Sequence, residues 1–172
     1  WLKHPELSRG ARMIRDAVDA LGLTPSSKVL ELACGLGDTT EVLARRIGST
    51  GRILSTDIST EMLKLAKKRS QTFSRVPVES RELDAARMEF DQEFDALICV
   101  LGFSVIPDYK EAITRTRRAL VSGGRIAVVD AQLYKKFPAI LLNPFVSILL
   151  RLFRAYERDL RAALNTSFDE IS

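Results

Sequence analysis

The sequence predicts an α/β protein in which a mainly parallel, twisted β-sheet lies between two layers of helices. Short apolar segments alternate with segments of helical periodicity along most of the chain, which is typical of repeated βαβ units. Glycines or acidic residues directly follow several apolar segments, where a parallel sheet places its ligand-binding groups. The 172 residues, of which 46% are hydrophobic, suffice for one domain with a sizeable core.

Five strands and four helices are predicted in order. An apolar stripe over residues 5–21 predicts the first helix. The next helices are expected to begin near Asp38, after a Ser59 cap, and at Asp108, which starts a capping-box pattern. The run Ser122-Gly123-Gly124 is expected to end the last of these helices. The predicted strands are KVLEL, RILST, VPVES, FDALICVL and RIAVVD, at residues 28–32, 52–56, 76–80, 94–101 and 125–130.

The chain is predicted to form a single domain over residues 1–172. The N-terminal helix lies within residues 1–24, and residues 28–131 form the core of strands and helices. Residues 132–172 differ in composition, and their stretch FPAILLNPFVSILLRLF is strongly apolar. Because that stretch is short and contains a helix-breaking Asn143-Pro144, it is a poor transmembrane span.

Two interpretations of this apolar stretch stay open. It can form a lid or core helix over a substrate pocket, with its arginines in solvent. Alternatively, its neighbouring Lys and Arg side chains make residues 135–161 an interfacial segment that contacts an anionic membrane surface. An apolar lid favours an apolar substrate.

Both ends of the chain indicate a longer natural protein. The first residue is Trp1 rather than a methionine, so we expect the native N-terminus to lie upstream. Residues 167–172 resemble the start of a sixth strand, after which the chain stops. Without further strands the fifth strand would be an exposed apolar edge, which favours aggregation. We therefore expect C-terminal strands of the sheet to be missing.

Composition and charge exclude several classes of protein. The formal net charge of +4 permits contact with nucleic acid or anionic lipid, but it is mild. Cys34 and Cys99 both lie in apolar runs, which predicts buried, reduced thiols in a cytoplasmic protein. Because His4 is the single histidine, a zinc site of the usual Cys/His kind is not expected, and no metal is predicted.

The segment VLELACGLGD, at residues 29–38, predicts a strand, a glycine turn and the start of a helix. Glycines at positions 35 and 37 allow the backbone to bend sharply and to approach a ligand closely. The helix N-terminus offers free N–H groups to a carboxylate or a phosphate. An ordinary tight turn between a strand and a helix would show the same pattern, so this segment alone leaves both interpretations open.

Asp57 strengthens the ligand-binding interpretation. It ends the second predicted strand, twenty residues after Gly37, where a carboxylate can accept hydrogen bonds from both hydroxyls of a ribose. It could instead cap nearby N–H groups. The third glycine of a dinucleotide fingerprint would fall at position 40, which is Thr40, so NAD is disfavoured. The sequence also lacks a Walker phosphate loop.

Four motifs in order resemble those of the class I S-adenosylmethionine-dependent methyltransferases. They are ELACGLG, TDISTEML, LDAARMEFDQEFD and RRALVSGG, at residues 31–37, 56–63, 83–95 and 117–124. The resemblance covers residues 10–131 and is nearest to the ubiquinone and menaquinone biosynthesis methyltransferases, which act on small molecules. Leu36 and Ser122 replace the family's usual threonine and proline, but neither removes a group that the chemistry needs.

This resemblance implies a Rossmann-like α/β/α sandwich, whose sheet usually has seven strands. It implies S-adenosylmethionine as the cofactor and S-adenosylhomocysteine as the product. The acceptor implied is a small and apolar one, such as a lipid, a quinone precursor or another hydrophobic metabolite.

The resemblance also implies a set of cofactor-binding residues at the strand ends. Glu31 and the glycine turn would frame the methionine part, and Asp57 would hold the ribose. Ile58 would lie against the adenine, and Asp84 would accept a hydrogen bond from its amino group. Residues 100–103 would form the floor of the pocket near the reactive methyl group. The full set is Glu31, Ala33, Gly35, Gly37, Asp57, Ile58, Asp84, Ala85, Val100 and Leu101.

Methyl transfer from a sulfonium is an in-line displacement, in which the cofactor supplies the activated group and the protein supplies position and electrostatics. A catalytic base is needed only if the acceptor must lose a proton. The candidates near the expected substrate mouth are His4, Tyr109, Asp130 and Tyr134. The alternatives are an exposed histidine near a terminus, a helix-capping aspartate, and tyrosines that only pack.

Three functions compete: a small-molecule or lipid methyltransferase, an RNA or DNA methyltransferase, and a non-catalytic adenosylmethionine-fold binding protein. Amino-methylating nucleic-acid enzymes of this fold carry an Asp/Asn-Pro-Pro-aromatic motif where this chain has Leu101-Gly102-Phe103-Ser104, so no nucleic-acid partner is expected. The ribose and adenine carboxylates argue against the non-catalytic alternative. The predicted location is the cytoplasm, with peripheral contact at the inner membrane surface under the interfacial interpretation. The acceptor, its reacting atom and the oligomeric state stay open.

Overall fold

The structure is a computed structural model that describes residues 9–73, 76–130 and 160–168. The strands in these ranges are β1 (Lys28–Leu32), β2 (Arg52–Asp57), β3 (Val78–Glu82), β4 (Phe94–Val100) and β5 (Leu120–Val129). The helices are α1 (Arg9–Ala20), α2 (Asp38–Arg46), α3 (Thr60–Phe73), α4 (Tyr109–Ala119) and α5 (Leu160–Asn165). The predicted alternation of helices and strands up to β5 is confirmed.

The five strands form one parallel sheet in the order β3-β2-β1-β4-β5. The central strand is β1, in which Leu30 pairs with Leu54 of β2 on one side and with Leu97 of β4 on the other. The chain runs outward from β1 through β2 to β3 and then returns to place β4 on the opposite side of β1. This reversal makes the crevice between the carboxyl ends of β1 and β4 the switch point, where such sheets bind ligands.

Helices cover both faces of the sheet, which confirms the three predicted layers. On one face, Val18 of α1 and Leu43 of α2 belong to the same buried cluster as Ile98 of β4. On the other face, Ile113 of α4 belongs to a cluster with Leu97 of β4. Adjacent residues of β4 thus serve opposite layers, as the alternation of side chains along a strand requires.

The fifth strand is longer than predicted. It begins at Leu120, so the run Ser122-Gly123-Gly124 lies inside the strand instead of ending helix α4, which stops at Ala119. The register between β4 and β5 shifts in this part of the ladder, and Gly123 has a φ of 75°. The two glycines therefore accommodate an irregularity of the bulge kind.

The predicted helix caps have different outcomes. Ser59 caps α3 as expected, because its Oγ accepts a hydrogen bond from the Met62 N–H at 3.3 Å. Helix α4 begins directly after Asp108, but this side chain makes no capping hydrogen bond within the described residues. Glu111 pairs instead with Arg115 at 2.6 Å, one turn further along the helix. An ion pair along the helix surface therefore replaces the predicted reciprocal cap.

The predicted sixth strand is not extended at its first residue, Ser167, and its last four residues lie outside the described part of the chain. Residues 166–167 form a turn after α5, and the N–H groups of Ser167 and Phe168 both donate to the Leu164 carbonyl at 2.9 Å. These bonds close the end of a helix, which is incompatible with extended backbone at the same residues. Residues 131–159, which include most of the predicted interfacial segment 135–161, lie outside the described residues, as do residues 169–172. In the part of the chain that is described, no helix has the length and apolar character to cross a membrane.

Candidate functional site

The turns that follow β1 and β4 lie close together and contain strained backbone. Ala33 directly follows β1 and Leu101 directly follows β4, and their φ angles are 53° and 54°. Few residues other than glycine adopt such angles. A Cβ placed on Gly102 would collide with the Cβ of Ala33 and the sulfur of Cys99, so the two turns approach closely. Strain of this kind, held at a switch point, is typical of ligand sites.

The glycine turn after β1 is held by the carboxylate of Asp57. Gly35 and Gly37 have φ angles of 53° and 81°, which glycine adopts at low steric cost. The Gly35 N–H donates to Asp57 Oδ2 at 2.9 Å, and the Ser59 N–H donates to Asp57 Oδ1 at 2.9 Å. The bond from Ser59 is the local cap that the alternative interpretation predicts, whereas the bond from Gly35 joins Asp57 to a turn 22 residues away. Because a carboxylate offers about four acceptor positions, it can accept further hydrogen bonds from a ligand.

The predicted adenine-binding carboxylate lies beside Asp57. The Leu83 N–H donates to the Asp57 carbonyl at 3.0 Å, which brings the residues after β3 next to the end of β2. Asp84 Oδ1 accepts the Ala86 N–H at 2.9 Å, and Asp84 Oδ2 lies 3.4 Å from the Arg87 Nε. The structure thus brings together Asp57 and Asp84, which the sequence separates by a helix and a strand.

Apolar side chains around the crevice are open to solvent. Ile58, which follows Asp57, is 68% exposed, and Leu101 is 55% exposed. Leu36, in the glycine turn, is 48% exposed, while Val100 is half-buried and Ala85 is buried. Binding pockets are lined mostly by such apolar surface, with a few polar groups that fix orientation.

Glu31 is a carboxylate inside the core. Its side chain is 1% exposed, and its Oε2 accepts hydrogen bonds from Thr40 Oγ1 at 2.6 Å and Ser55 Oγ at 2.9 Å. Within the described residues, Glu31 Oε1 has no hydrogen-bond partner. Burial raises the pKa of Glu31 to about 7, although the hydrogen bonds from the two hydroxyls act to lower it. Asp57, a like charge, adds to the increase in pKa.

Sequence reasoning missed Thr40 and Ser55 as parts of this site. Thr40 served only to disfavour NAD, because it stands where a third glycine would be. The sequence did contain one indication of their role. A threonine on the buried side of a helix and a serine inside a buried strand both need hydrogen-bond partners in the core. Their partner is Glu31, which lies 9 residues from Thr40 and 24 from Ser55 along the chain.

Arg69 of α3 was also missed. Its guanidinium lies 2.6 Å from Asp38 Oδ1 and 2.8 Å from Glu41 Oε2, so it joins α3 to the first turn of α2. Hydrogen bonds from Arg45 and then Arg69 lower the pKa of Glu41. These ion pairs orient the helix N-terminus that follows the glycine turn, and helix N-termini attract anionic groups. The partners are 31 and 28 residues apart, which hides them from local patterns.

The two cysteines are buried free thiols, which confirms the prediction of their burial. Burial raises the pKa of Cys34 to about 12 and also raises the pKa of Cys99. Because the thiolate is the reactive form, neither residue supplies a nucleophile at neutral pH. The described residues contain no group of three or more His, Cys, Asp or Glu side chains that could hold a metal ion.

Two of the four candidate bases lie among the described residues. Asp130 Oδ2 accepts the Ser104 N–H at 2.8 Å, so this carboxylate orders the loop that follows β4. Tyr109 is half-buried and packs against the hydrophobic cluster beneath α4, in line with its alternative as a packing residue. His4 and Tyr134 lie outside the described residues.

Taken together, the strand order with β1 at its centre and the helices on both faces define the class of this protein, an α/β protein with a doubly wound parallel sheet. The chain belongs to the ubiE/COQ5 methyltransferase family, whose model matches residues 11–142. The resemblance seen in the sequence motifs is thereby confirmed.

Two relatives and one solved structure illustrate the similarity. The 2-phytyl-1,4-naphtoquinone methyltransferase of Thermosynechococcus vestitus is 36% identical over 115 residues, which cover 66% of this chain and 50% of that protein. The demethylmenaquinone methyltransferase of Staphylococcus aureus is 28% identical over 139 residues, which cover 77% of this chain and 57% of that protein. This chain therefore spans about half the length of these relatives.

The solved structure is that of geranyl diphosphate methyltransferase in complex with S-adenosylmethionine. It matches with a TM-score of 0.76 at 17% sequence identity, over 91% of this chain and 64% of that chain. At this identity the likeness concerns the fold, which confirms the Rossmann-like architecture.

The buried Glu31 makes folding stability depend on pH. Its pKa is about 7 in the folded protein against an ordinary 4.5, so between these values the folded state holds a proton that the unfolded state has released. The resulting stabilisation is fully present below the unfolded pKa and is lost as pH rises through the folded pKa, a change on the order of 3 kcal/mol. We expect Glu31→Gln, which stays neutral, to gain stability relative to the original protein as pH rises, as measured by urea unfolding.

The matched control is Glu61→Gln, at an exposed glutamate paired with Lys64 at 2.7 Å. This change should alter stability by less than about 0.5 kcal/mol at each pH. Parallel stability profiles for Glu31→Gln and the original protein would contradict the prediction.

Proposed function

We propose that this protein binds S-adenosylmethionine at the carboxyl ends of β1, β2 and β4 and transfers its methyl group to a small apolar acceptor. One observation carries the proposal: the Asp57 carboxylate accepts the Gly35 N–H at 2.9 Å. This bond joins the acidic ribose motif and the glycine turn into a single site. Membership of a methyltransferase family supports the same function.

The nucleoside half of the cofactor is assigned to the ends of β2 and β3. Asp57 accepts hydrogen bonds from the ribose hydroxyls, while its bonds to the Gly35 and Ser59 N–H groups hold it in place. Ile58 offers its exposed side chain to the adenine. Asp84 accepts a hydrogen bond from the adenine amino group, with the backbone N–H of Ala85 beside it.

The methionine half is assigned to the ends of β1 and β4. Glu31, Ala33 and the glycine turn surround it. Glu31 Oε1 is buried and has no hydrogen-bond partner among the described residues, so a polar group of the bound cofactor would supply one. Val100 and Leu101 line the end of the crevice where the methyl group reacts. Leu101, at 55% exposed, presents an apolar surface to an incoming acceptor.

When bound, S-adenosylmethionine supplies a methyl group on a positively charged sulfur, which is activated for in-line displacement. The residues of this chain contribute position, and alignment of reactants alone can lower a barrier by up to about 7–11 kcal/mol. The strained turns at Ala33 and Leu101 fix the walls of the crevice. Asp130 acts here by holding the loop after β4 through the Ser104 N–H.

The acceptor is proposed to be a quinone precursor or a similar apolar molecule. The two relatives are named for naphthoquinone and demethylmenaquinone methylation, and the exposed apolar side chains at the crevice suit such an acceptor. The family match favours this class over the RNA or DNA alternative. Cytoplasmic location and peripheral membrane contact through residues 135–161 stay predictions, because most of that segment lies outside the described residues.

Cofactor binding should depend on Asp57. We expect Asp57→Ala to raise the Kd for S-adenosylhomocysteine roughly tenfold or more, because a hydrogen bond to a charged group contributes about 1.5–3 kcal/mol. Isothermal titration calorimetry measures this change. The matched control is Asp95→Ala: Asp95 Oδ2 accepts the Lys28 N–H at 2.8 Å, but at the amino end of the same sheet. Equal effects of the two changes would show that the ribose is placed wrongly.

Alanine substitutions at two glycines distinguish the effect of backbone strain on stability from the effect of an added methyl group on ligand binding. Gly35 and Gly123 both have positive φ, and a Cβ on either would meet no atom of the described chain within 4 Å. Both Gly→Ala changes should therefore cost about 1–2 kcal/mol of stability from left-handed backbone alone. Only Gly35→Ala should also weaken S-adenosylhomocysteine binding, because its methyl group would enter the cofactor site. Unchanged affinity of folded Gly35→Ala would contradict this placement.

The three competing functions predict different products. We expect transfer of labelled methyl from S-adenosylmethionine to demethylmenaquinone in detergent micelles, and none to a pool of unmodified RNA. Labelled RNA without labelled quinone would favour the nucleic-acid alternative. Cofactor binding without transfer to either acceptor would favour the non-catalytic binding protein.

A further inference from the structure

The two oxygens of the Glu31 carboxylate have different surroundings. Oε2 accepts two hydroxyl hydrogen bonds, at 2.6 Å from Thr40 on α2 and at 2.9 Å from Ser55 on β2. Thr40 and Ser55 also lie 3.2 Å apart, within hydrogen-bond distance of each other. Oε1 is equally buried but has no partner among the described residues. An unpaired buried carboxylate oxygen is costly, so a partner that arrives with a ligand would be favoured.

The charged and titratable groups around Glu31 point to the kind of partner. Asp57, at the end of β2, acts as a like charge on Glu31. Cys34, after β1, and Cys99, on β4, also interact with Glu31, and both are neutral thiols at neutral pH because burial raises their pKa. Helix α2 contributes the uncharged Thr40. A cationic group is therefore the partner that would relieve both the unpaired oxygen and the repulsion from Asp57.

We propose that Thr40 and Ser55 are positioning residues that hold Glu31 by Oε2, so that Oε1 receives the ammonium group of the cofactor's methionine part and binding expels a proton from Glu31. This inference rests on the proposed function. The two hydroxyls come from different elements, a helix and a strand, and so fix the carboxylate from two directions.

The proton has a defined origin. Because Oε2 already accepts two O–H donors, a proton on Glu31 resides on Oε1. An ammonium group at Oε1 can donate only to the ionised oxygen, so the proton must leave for the solvent as the ligand binds. Burial raises the pKa of Glu31 to about 7, so an appreciable fraction of Glu31 is protonated in the unliganded protein at neutral pH.

Calorimetry of the original protein tests this coupling. Titration with S-adenosylhomocysteine in two buffers of different ionisation enthalpy, at neutral pH, should show net proton release. Its Kd should weaken as pH falls below neutral, approaching tenfold per pH unit. 5′-Methylthioadenosine keeps the adenosine and the sulfur but lacks the ammonium group, so it should bind without proton release.

Variants assign the effect to particular residues. Glu31→Gln should abolish both the proton release and the pH dependence of Kd. Thr40→Val removes a hydrogen bond that lowers the pKa of Glu31, so it should shift the pH profile of Kd to higher pH, and Thr40→Ser should restore the original profile. The matched control is Thr116→Val: Thr116 is also fully buried, but its Oγ1 has no partner in the described chain, so the profile should not move.

The outcomes separate this inference from the proposed function. Binding of S-adenosylhomocysteine without proton release, or with release that persists in Glu31→Gln, overturns the inference and leaves the proposed cofactor in place. An unchanged pH profile in folded Thr40→Val overturns the positioning role. A folded protein that binds neither S-adenosylhomocysteine nor S-adenosylmethionine overturns the proposed function and the inference with it.

Discussion

Strand β1 pairs in parallel with both β2 and β4, and this pairing sets the position of every group in the candidate site. Parallel strands end at the same edge of a sheet, so the turns after β1, β2 and β4 meet there. Asp57 reaches the Gly35 N–H, 22 residues away along the chain, because β1 and β2 lie side by side. Gly102 comes close to Ala33 because β4 occupies the other side of β1.

The central position of β1 also places a carboxylate in the core. Glu31 occupies a strand position that is 1% exposed, where an apolar residue would cost less to bury. Thr40 and Ser55 donate hydrogen bonds to only one of its oxygens, Oε2. Residues that lower stability at their position are expected at functional sites. Glu31 is such a residue, and it lies next to the glycine turn. The surrounding strands thus maintain a polar group in a position that folding alone would not select.

The strands that are buried on both faces were the easiest to predict. The bounds predicted for β1 match the structure, and those for β2 and β4 differ by one residue. Each of these strands contains four consecutive buried residues, and most of these residues are apolar, which makes the strands recognisable in the sequence. Predictions that rested on short local patterns failed more often. Ser122-Gly123-Gly124 has the composition of a helix stop, yet it lies inside β5 because Leu120 and Arg125 on either side of it pair with β4. Ser167 was predicted to begin a strand, yet the N–H groups of Ser167 and Phe168 donate to the Leu164 carbonyl and place Ser167 in the turn after α5.

Local sequence patterns were enough to predict the order of the strands and helices, the glycines and acids at the strand ends, and the motifs of the methyltransferase family. These features are local, because each depends on residues within one strand, turn or helix. Tertiary packing was needed to show that Thr40 and Ser55 hold Glu31 and that Arg69 joins α3 to α2. Their partners are 9 to 31 residues away, so they meet only when the sheet has formed and its helices have packed. Periodicity predicts that a polar residue lies on the buried face of its element, but it does not predict which side chain will be its partner.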